Sequence, residues 1–157
     1  MLANKPINTK TIANIILAED DIDDQNIFHI ALQEIDPSVK TQFVSNGKEL
    51  LNLLQNGTTT DLIFLDLEMP YKNGLECLLA IKNDPLLEKI PVIVFSSTTK
   101  PSNIQTAYEM GAHLFFIKPP IYSDYLSSLK AIFNLNWNEP EMVREQYCVN
   151  GRYTAFN

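Results

Sequence analysis

Carboxylates, a hydroxyl and a lysine stand at the ends of four short apolar runs in this sequence. Glu19-Asp20 follows NIILA, Asp66 follows DLIFL, Ser96 follows PVIVF and Lys118 follows HLFFI. A carboxylate beside a buried segment needs a partner or a chemical role, because removing its charge from water is costly. Carboxylates that converge also repel one another unless a cation binds among them.

The residue types favour one kind of chemistry. Oxygen ligands without a cluster of His or Cys suit a hard cation, and a few carboxylates with water suit Mg²⁺. A lysine ammonium and a serine hydroxyl can both hold the oxygens of a phosphoryl group. The sequence therefore predicts a magnesium-dependent phosphoryl site, provided that the fold brings the four runs together.

Strand patterns and helix patterns alternate along the chain. Short runs that are apolar on both faces predict strands covered by helices on either side of a sheet. These runs are residues 14–18, 40–44 (a weaker candidate), 61–65, 91–95 and 113–117. Amphipathic patterns predict helices over residues 22–35, 47–55, 74–82, 102–110 and 121–133. In the first helix, Ile27, Ala31 and Ile35 are expected on one apolar face.

Such alternation predicts an α/β fold with a parallel sheet and right-handed crossovers. Parallel strands place their carboxyl ends at one edge of the sheet, where ligands bind in folds of this kind. All four polar groups follow predicted strands, so we expect them to meet at that edge.

Glu19-Asp20, Asp66, Ser96 and Lys118-Pro119 occur in an order that resembles the phosphorylation site of response-regulator receiver domains, the phosphoacceptor half of two-component signalling. The resemblance spans roughly residues 13–134 and includes the motifs LDLEMP and GAHLFFIKP. It implies a doubly wound, flavodoxin-like (βα)5 fold with a five-stranded parallel sheet in the order 2-1-3-4-5.

The resemblance also implies a role for each acidic residue. Asp66 is the expected phosphoacceptor, attacking a phosphohistidine or a small phosphodonor. Asp20 is expected to bind Mg²⁺ directly and Glu19 through a water molecule. Asp66 and the backbone carbonyl of Glu68 complete the expected magnesium ligands. The pair Glu19-Asp20 departs from the commoner Asp-Asp of the family.

The remaining site residues are assigned by the same resemblance. Lys118 is expected to pair with a phosphate oxygen. Ser96, where Thr is frequent, is expected to contact the phosphoryl group and to act as a switch residue by moving toward it on activation. Phe115 occupies the position of the switch aromatic, although a purely structural role is an open alternative. The family pattern further predicts a cis Lys118–Pro119 peptide bond.

Composition narrows the function classes. The chain of 157 residues has a formal net charge of −7 without a basic stripe, which disfavours direct binding to nucleic acid. Its apolar runs are too short to cross a membrane and no signal peptide is evident, so a cytoplasmic location is expected. Cys77 and Cys148 are interpreted as free thiols, and His29 and His113 as surface or half-buried residues.

Three regions are predicted: an N-terminal tail (1–12), a receiver domain (13–134) and a C-terminal extension (135–157). The extension is too short for a DNA-binding or enzymatic output domain. Its aromatic residues suggest that it packs on its own domain or on a partner subunit. Pro140 indicates that it does not simply continue the preceding helix.

The leading hypothesis is a single-domain response regulator, not an enzyme acting on other substrates. A histidine kinase or phosphotransfer protein would phosphorylate Asp66, and the phosphorylated form would bind a downstream protein. Residues 101–134 are the expected interaction face and possible homodimer face. A narrower resemblance points to regulators that partner phytochrome-type kinases.

Two alternatives remain. The first is a phosphorylation-independent pseudo-receiver that acts as a binding module. The second is a phosphatase with an aspartyl nucleophile, since Asp66-x-Glu68 is similar to a D-x-D motif, although that family places its nucleophile after the first strand.

Overall fold

The fold is built on a parallel sheet whose strands follow the predicted apolar runs. The computed structural model describes residues 11–70 and 73–156, so most of the predicted N-terminal tail (1–12) lies outside the described residues. The five-stranded sheet has the order β2-β1-β3-β4-β5 with every neighbouring pair parallel, which confirms the predicted topology. Its strands are β1 Asn14–Ala18, β2 Lys40–Val44, β3 Leu62–Leu65, β4 Val92–Ser96 and β5 Leu114–Ile117.

Five helices connect or follow these strands. They are α1 Ile22–Ile35, α2 Gly47–Gln55, α3 Gly74–Lys82, α4 Pro101–Glu109 and α5 Tyr122–Phe133. Three begin with a side-chain cap, in which Asp21, Asn46 or Asn73 accepts a hydrogen bond from the backbone N–H three residues later. Helix α4 starts one residue before the prediction, with Pro101 in its first turn, where a missing N–H costs nothing.

The two faces of the sheet support two apolar cores. Alternate residues of each strand face opposite sides, so Ile15 and Leu17 pack with α1 and α5, whereas Ile16 and Ala18 pack with α2, α3 and α4. Helix α1 buries Phe28, Ala31 and Leu32. The expectation for Ile27 was wrong: its side chain is 39% exposed, because Phe28 occupies the centre of that face.

The C-terminal region packs on the same domain. It contains α6 Pro140–Gln146 and a hairpin of β6 Cys148–Val149 and β7 Arg152–Tyr153. Trp137 is 2% exposed and donates a hydrogen bond from Nε1 to the carbonyl of Ile132 at 2.9 Å. Residues after α5 therefore extend the apolar core that packs against α1 and α5 (the second core).

His113 is buried, contrary to the expectation of a surface or half-buried residue. Its Nδ1 accepts a hydrogen bond from the N–H of Val92, and its Nε2 lies 3.1 Å from Oε1 of Glu141 in α6. Burial lowers the pKa of His113 to about 4, so the ring is neutral near pH 7. His29 is exposed, as expected.

Within the described part of the chain, no helix combines the length and the apolar character needed to span a membrane.

Candidate functional site

The carboxyl ends of β1 and β3 bring three carboxylates together. Glu19, Asp20 and Asp66 each offer an oxygen, and these oxygens lie within 4.8 Å of one another. Glu19 and Asp66 are only 1% and 7% exposed, whereas Asp20 is exposed. The strand pairing fixes this geometry, since the N–H of Asp66 donates to the carbonyl of Ala18 at 3.0 Å. The three carboxylates therefore meet at the edge of the sheet, as the sequence predicts.

Lys118 reaches into the acidic cluster from the end of β5. Its Nζ lies 2.7 Å from Oε2 of Glu19 and 3.0 Å from Oδ2 of Asp24. The same ammonium lies 4.5 Å from the ring centroid of Phe95, a distance suited to a cation–π contact. These three contacts hold the ammonium of Lys118 beside the acidic cluster.

Asp24 is the site residue that sequence reasoning missed. It lies in the first turn of α1, where a negative charge interacts favourably with the helix dipole. In the structure its side chain also shares the ammonium of Lys118 with Glu19. The sequence signal that could have identified Asp24 is its position three residues after Asp21. The helix cap at Asp21 fixes the direction of the first turn of α1, and Asp24 lies in that turn.

Ser96 closes the site on the β4 side. It is 4% exposed, and its Oγ accepts a hydrogen bond from the N–H of Thr98 at 3.2 Å. Its carbonyl accepts a bond from the N–H of Lys118 at 2.8 Å, which ties the ends of β4 and β5 together. Ser96, Lys118, Asp66 and Asp20 line one open cavity of about 610 Å³.

Two opposing effects set the pKa values of the buried carboxylates: burial raises them and the positive charge of Lys118 lowers them. Burial raises the pKa of Glu19 to about 7, although the hydrogen bond and charge of Lys118 oppose this. Burial likewise raises the pKa of Asp66, again opposed by the charge of Lys118. For Lys118, burial lowers the pKa, but Glu19 and Asp66 outweigh this and raise it overall. One ammonium is therefore insufficient to neutralise the cluster, and an added cation would stabilise it.

The donor set fits the expected magnesium. The three clustered groups are all carboxylates, which suits a hard cation. The N–H of Glu68 donates to Oδ1 of Asp66 at 3.3 Å, so the loop after β3 is folded against this carboxylate. This loop brings the backbone of Glu68, the fourth predicted ligand, next to the cluster.

Gly74 allows α3 to approach the backbone that carries Asp66. A Cβ at this position would lie 2.3 Å from the carbonyl oxygen of Asp66 and 2.7 Å from Cα of Leu67. The N–H of Gly74 donates to the carbonyl of Leu67 at 3.0 Å. Because both obstructing atoms are backbone atoms, a side chain here must displace the loop that positions Asp66.

We therefore expect Gly74→Ala to destabilise the protein by about 1–3 kcal/mol through overpacking. Urea denaturation followed by circular dichroism measures the change. Leu79→Ala, on the exposed side of the same helix, is the matched control and should change stability less. Equal effects of the two substitutions would contradict the close approach at Gly74.

Two further expectations concern the end of β5. The Lys118–Pro119 peptide bond is trans, so the predicted cis bond was wrong. The trans form is the more stable isomer before proline, and Lys118 already reaches Glu19 from it. Phe115 is fully buried, and its N–H donates to the hydroxyl of Tyr108 at 3.0 Å.

Comparison with known families decides the identity of this fold and site. A family model described as the response regulator receiver domain matches residues 15–129. The chain belongs to the response regulator receiver family. The matched residues contain β2 to β5, all of β1 except Asn14, and every predicted site residue from Glu19 to Lys118.

Individual relatives agree with this assignment. The two-component response regulator ORR3 of Oryza sativa is 31% identical over 122 residues, covering 75% of this chain and 92% of the relative. Among solved structures, the phosphorylated cyanobacterial phytochrome response regulator RcpA is 30% identical with a TM-score of 0.72, covering 78% of this chain and 91% of that one. The Mn²⁺-bound form of response regulator Rcp1 is 27% identical with a TM-score of 0.69, covering 76% and 91%.

The receiver assignment places the chain in two-component signalling. Receiver domains are signalling proteins rather than conventional enzymes, and they bind Mg²⁺ or Mn²⁺ in an acidic pocket. Response regulators interact with histidine kinases or phosphotransfer proteins. In this chain, Glu19, Asp20 and Asp66 form an acidic cluster.

Proposed function

We propose that this receiver accepts a phosphoryl group on Asp66 and signals through phosphorylation-dependent binding of another protein. The observation that supports this most strongly is the arrangement around Asp66. Its carboxylate lies at the end of a fully buried strand, beside two carboxylates and within the field of Lys118. A rigid strand below and an open cavity above suit a nucleophile that must meet a donor from solution.

In the proposed step, an oxygen of Asp66 forms a bond to the phosphorus of a phosphohistidine or small phosphodonor. The bond between phosphorus and the leaving group breaks, and the leaving group keeps the electron pair. The product is an aspartyl phosphate on the receiver, whose charge must be neutralised within a partly buried cavity.

Several groups around Asp66 would together neutralise the negative charge of the phosphoryl group. Lys118 would supply a positive charge to one phosphoryl oxygen, and the Ser96 hydroxyl would donate a hydrogen bond to another. Glu19, Asp20, Asp66 and the carbonyl of Glu68 would hold Mg²⁺. The bound metal would offset negative charge on the transferring group.

Metal binding should depend on pH through Glu19. Its pKa of about 7 lies above the ordinary value of 4.5 for a glutamate, so the folded state binds this proton more tightly than the unfolded state. Glu19 therefore reduces the stability of the metal-free protein as pH rises between these values. Conversely, Mg²⁺ needs the ionised carboxylate and should bind better at higher pH.

We expect Mg²⁺ affinity to fall roughly tenfold from about pH 8 to about pH 6, following the ionised fraction of Glu19. Isothermal titration calorimetry at both values measures this change. Glu19→Gln removes the titrating group and should flatten the dependence. An unchanged slope in Glu19→Gln would mean that another group controls metal binding.

A histidine kinase or a phosphotransfer protein is the proposed phosphodonor, and a protein is the proposed downstream target. The similarity to RcpA supports a partner of the phytochrome kinase class for this chain. Two features support a protein target rather than nucleic acid: the net charge of −7 and the scattered basic residues.

Incubation with acetyl phosphate or phosphoramidate and Mg²⁺, followed by intact mass, tests the proposal. We expect one phosphoryl adduct on the native chain and on Asp124→Asn, an exposed carboxylate control on α5. Asp66→Asn, or EDTA, should abolish it. A native chain that gains no adduct from either donor would instead support the phosphorylation-independent pseudo-receiver.

A further inference from the structure

The C-terminal strap, defined here as residues 147–156, lies across helix α4. The ring of Tyr153 stacks on that of Tyr108 with 4.5 Å between centroids and 10° between planes. The N–H of Tyr153 donates to Oε1 of Gln105 at 2.9 Å. The guanidinium carbon of Arg144, in α6, lies 4.9 Å from the centroid of the Tyr153 ring. The strap thus covers a face of α4 with an aromatic side chain.

The same strap pairs with the edge of the sheet. Strand β5 is the last strand of the sheet, so one side of its backbone is free to accept a further strand. The N–H of Phe156 donates to the carbonyl of Phe115 at 2.8 Å, and Phe156 forms a parallel bridge with Phe116. Ala155 and Phe156 are each 9% exposed. The strap therefore occupies the groove between α4 and β5.

One hydroxyl joins the strap to the strand that carries the site lysine. The Tyr108 hydroxyl accepts the N–H of Phe115 at 3.0 Å and donates to the carbonyl of Thr154 at 3.0 Å. Phe115 lies three residues before Lys118 on the same strand and its following turn. A shift of Lys118 toward a phosphoryl group would therefore act on the backbone that the strap contacts.

The strap is attached to the domain in a way that allows it to detach and bind again. Its hairpin strands contain two residues each, and the side chains of Val149 and Arg152 are exposed. The ring of Tyr153 stacks on Tyr108 of α4, and the ring of Phe156 makes an edge contact with Phe116 of β5. Segments with few buried contacts open more easily than the core.

Residues 101–134 are already the expected interaction face, so the new element is its occupant. We propose that the strap is an intramolecular competitor on this face: it occupies the groove between α4 and β5, the docking site, in place of an extended peptide segment of a protein partner. The strap displays the chemistry that fits: an aromatic ring against Tyr108 and backbone pairing with β5. Phosphorylation of Asp66 releases the strap and exposes the groove. This release rests on the proposed function, whereas the docking site itself does not.

A labelled peptide of sequence NGRYTAFN, residues 150–157, is the probe for the groove. Only molecules with an open groove can bind the peptide, so a strap that keeps most grooves closed lowers the apparent affinity. The double variant Tyr153→Ala/Phe156→Ala should therefore bind the peptide at least about tenfold more tightly than the native chain. Arg152→Ala, an exposed neighbour in β7, should bind like the native chain. Equal affinities of all three proteins would overturn the docking site.

Hydrogen exchange on the full native chain tests release without any substitution. Phosphorylation should accelerate exchange at the amides of Tyr153 and Phe156, which donate to Gln105 and Phe115, while Leu17 in the interior strand β1 stays protected. Phosphorylation should also raise peptide affinity toward that of the double variant. Strap protection that rises with protein concentration would contradict an intramolecular occupant.

Intact mass of the same samples separates the two proposals. If no phosphoryl adduct forms, the proposed function fails, and the double variant still decides the docking site. If the adduct forms but exchange at Tyr153 and Phe156 and peptide affinity stay unchanged, the release of the strap is wrong.

Discussion

Lys118→Met is expected to lower the free energy of unfolding by about 3–5 kcal/mol at pH 8, because it leaves a buried carboxylate without its cation. Glu19 is 1% exposed and lies 2.7 Å from the ammonium. Asp24 should contribute little to this loss, since its side chain is 38% exposed and stays hydrated. The effect should be smaller near pH 5, where Glu19 is protonated.

Urea denaturation of the metal-free protein at the two pH values measures this effect. Lys89→Met, an exposed lysine, is the control for loss of a positive charge. Combining Lys118→Met with Glu19→Gln should restore much of the stability, because the unpaired charge is then absent. A loss that the second substitution does not reduce would show that Lys118 acts through packing on Phe95 instead.

Trp137→Ala is expected to cost about 3–5 kcal/mol of stability, the usual range for removing a buried tryptophan. Trp137 belongs to the second core together with Val143 of α6, although both follow the last helix of the βα repeat. Its hydrogen bond to the carbonyl of Ile132 would also be lost. The first part of the C-terminal extension should therefore behave as part of the folded domain.

Thermal or urea unfolding followed by circular dichroism tests this expectation. Met142→Ala, 56% exposed on α6, is the matched control and should have a small effect. A change below about 1 kcal/mol for Trp137→Ala, within the range of surface substitutions, would contradict the burial of this region.

The sheet could be predicted because its strands are buried on both faces. β1 and β2 begin and end at the predicted residues, and β3 starts one residue later than expected. That difference arises because Asp61 accepts the N–H groups of Ala13 and Asn14 instead of continuing the strand. Side-chain hydrogen bonds of this kind depend on neighbouring segments and are not evident from a local pattern.

The C-terminal hairpin was not predicted, although its turn has a sequence signal. Asn150 and Gly151 have φ values of 52° and 77°, as type I′ turns between hairpin strands require. The flanking strands are only two residues long, so no alternation accompanies the turn. Hydrogen bonds of the strap to Gln105 and Phe115 hold it in place instead.

The candidate site was predictable as a set of residues but not as a set of contacts. Parallel topology alone brings the residues after β1, β3, β4 and β5 to one edge. The pairing of Lys118 with Asp24 depends on the rotation of α1, which the cap at Asp21 sets. The contact of His113 with Glu141 likewise involves α6, which lies outside the βα repeat.

The central claim is that Asp66 carries the phosphoryl group, and chemical trapping tests it most directly. Borohydride reduces an aspartyl phosphate to homoserine, so peptide mapping of the trapped protein locates the modified residue. We expect homoserine at position 66 after reaction with acetyl phosphate and Mg²⁺, and none after EDTA. Modification at Glu19, Asp20 or Glu68 with Asp66 intact would contradict the account.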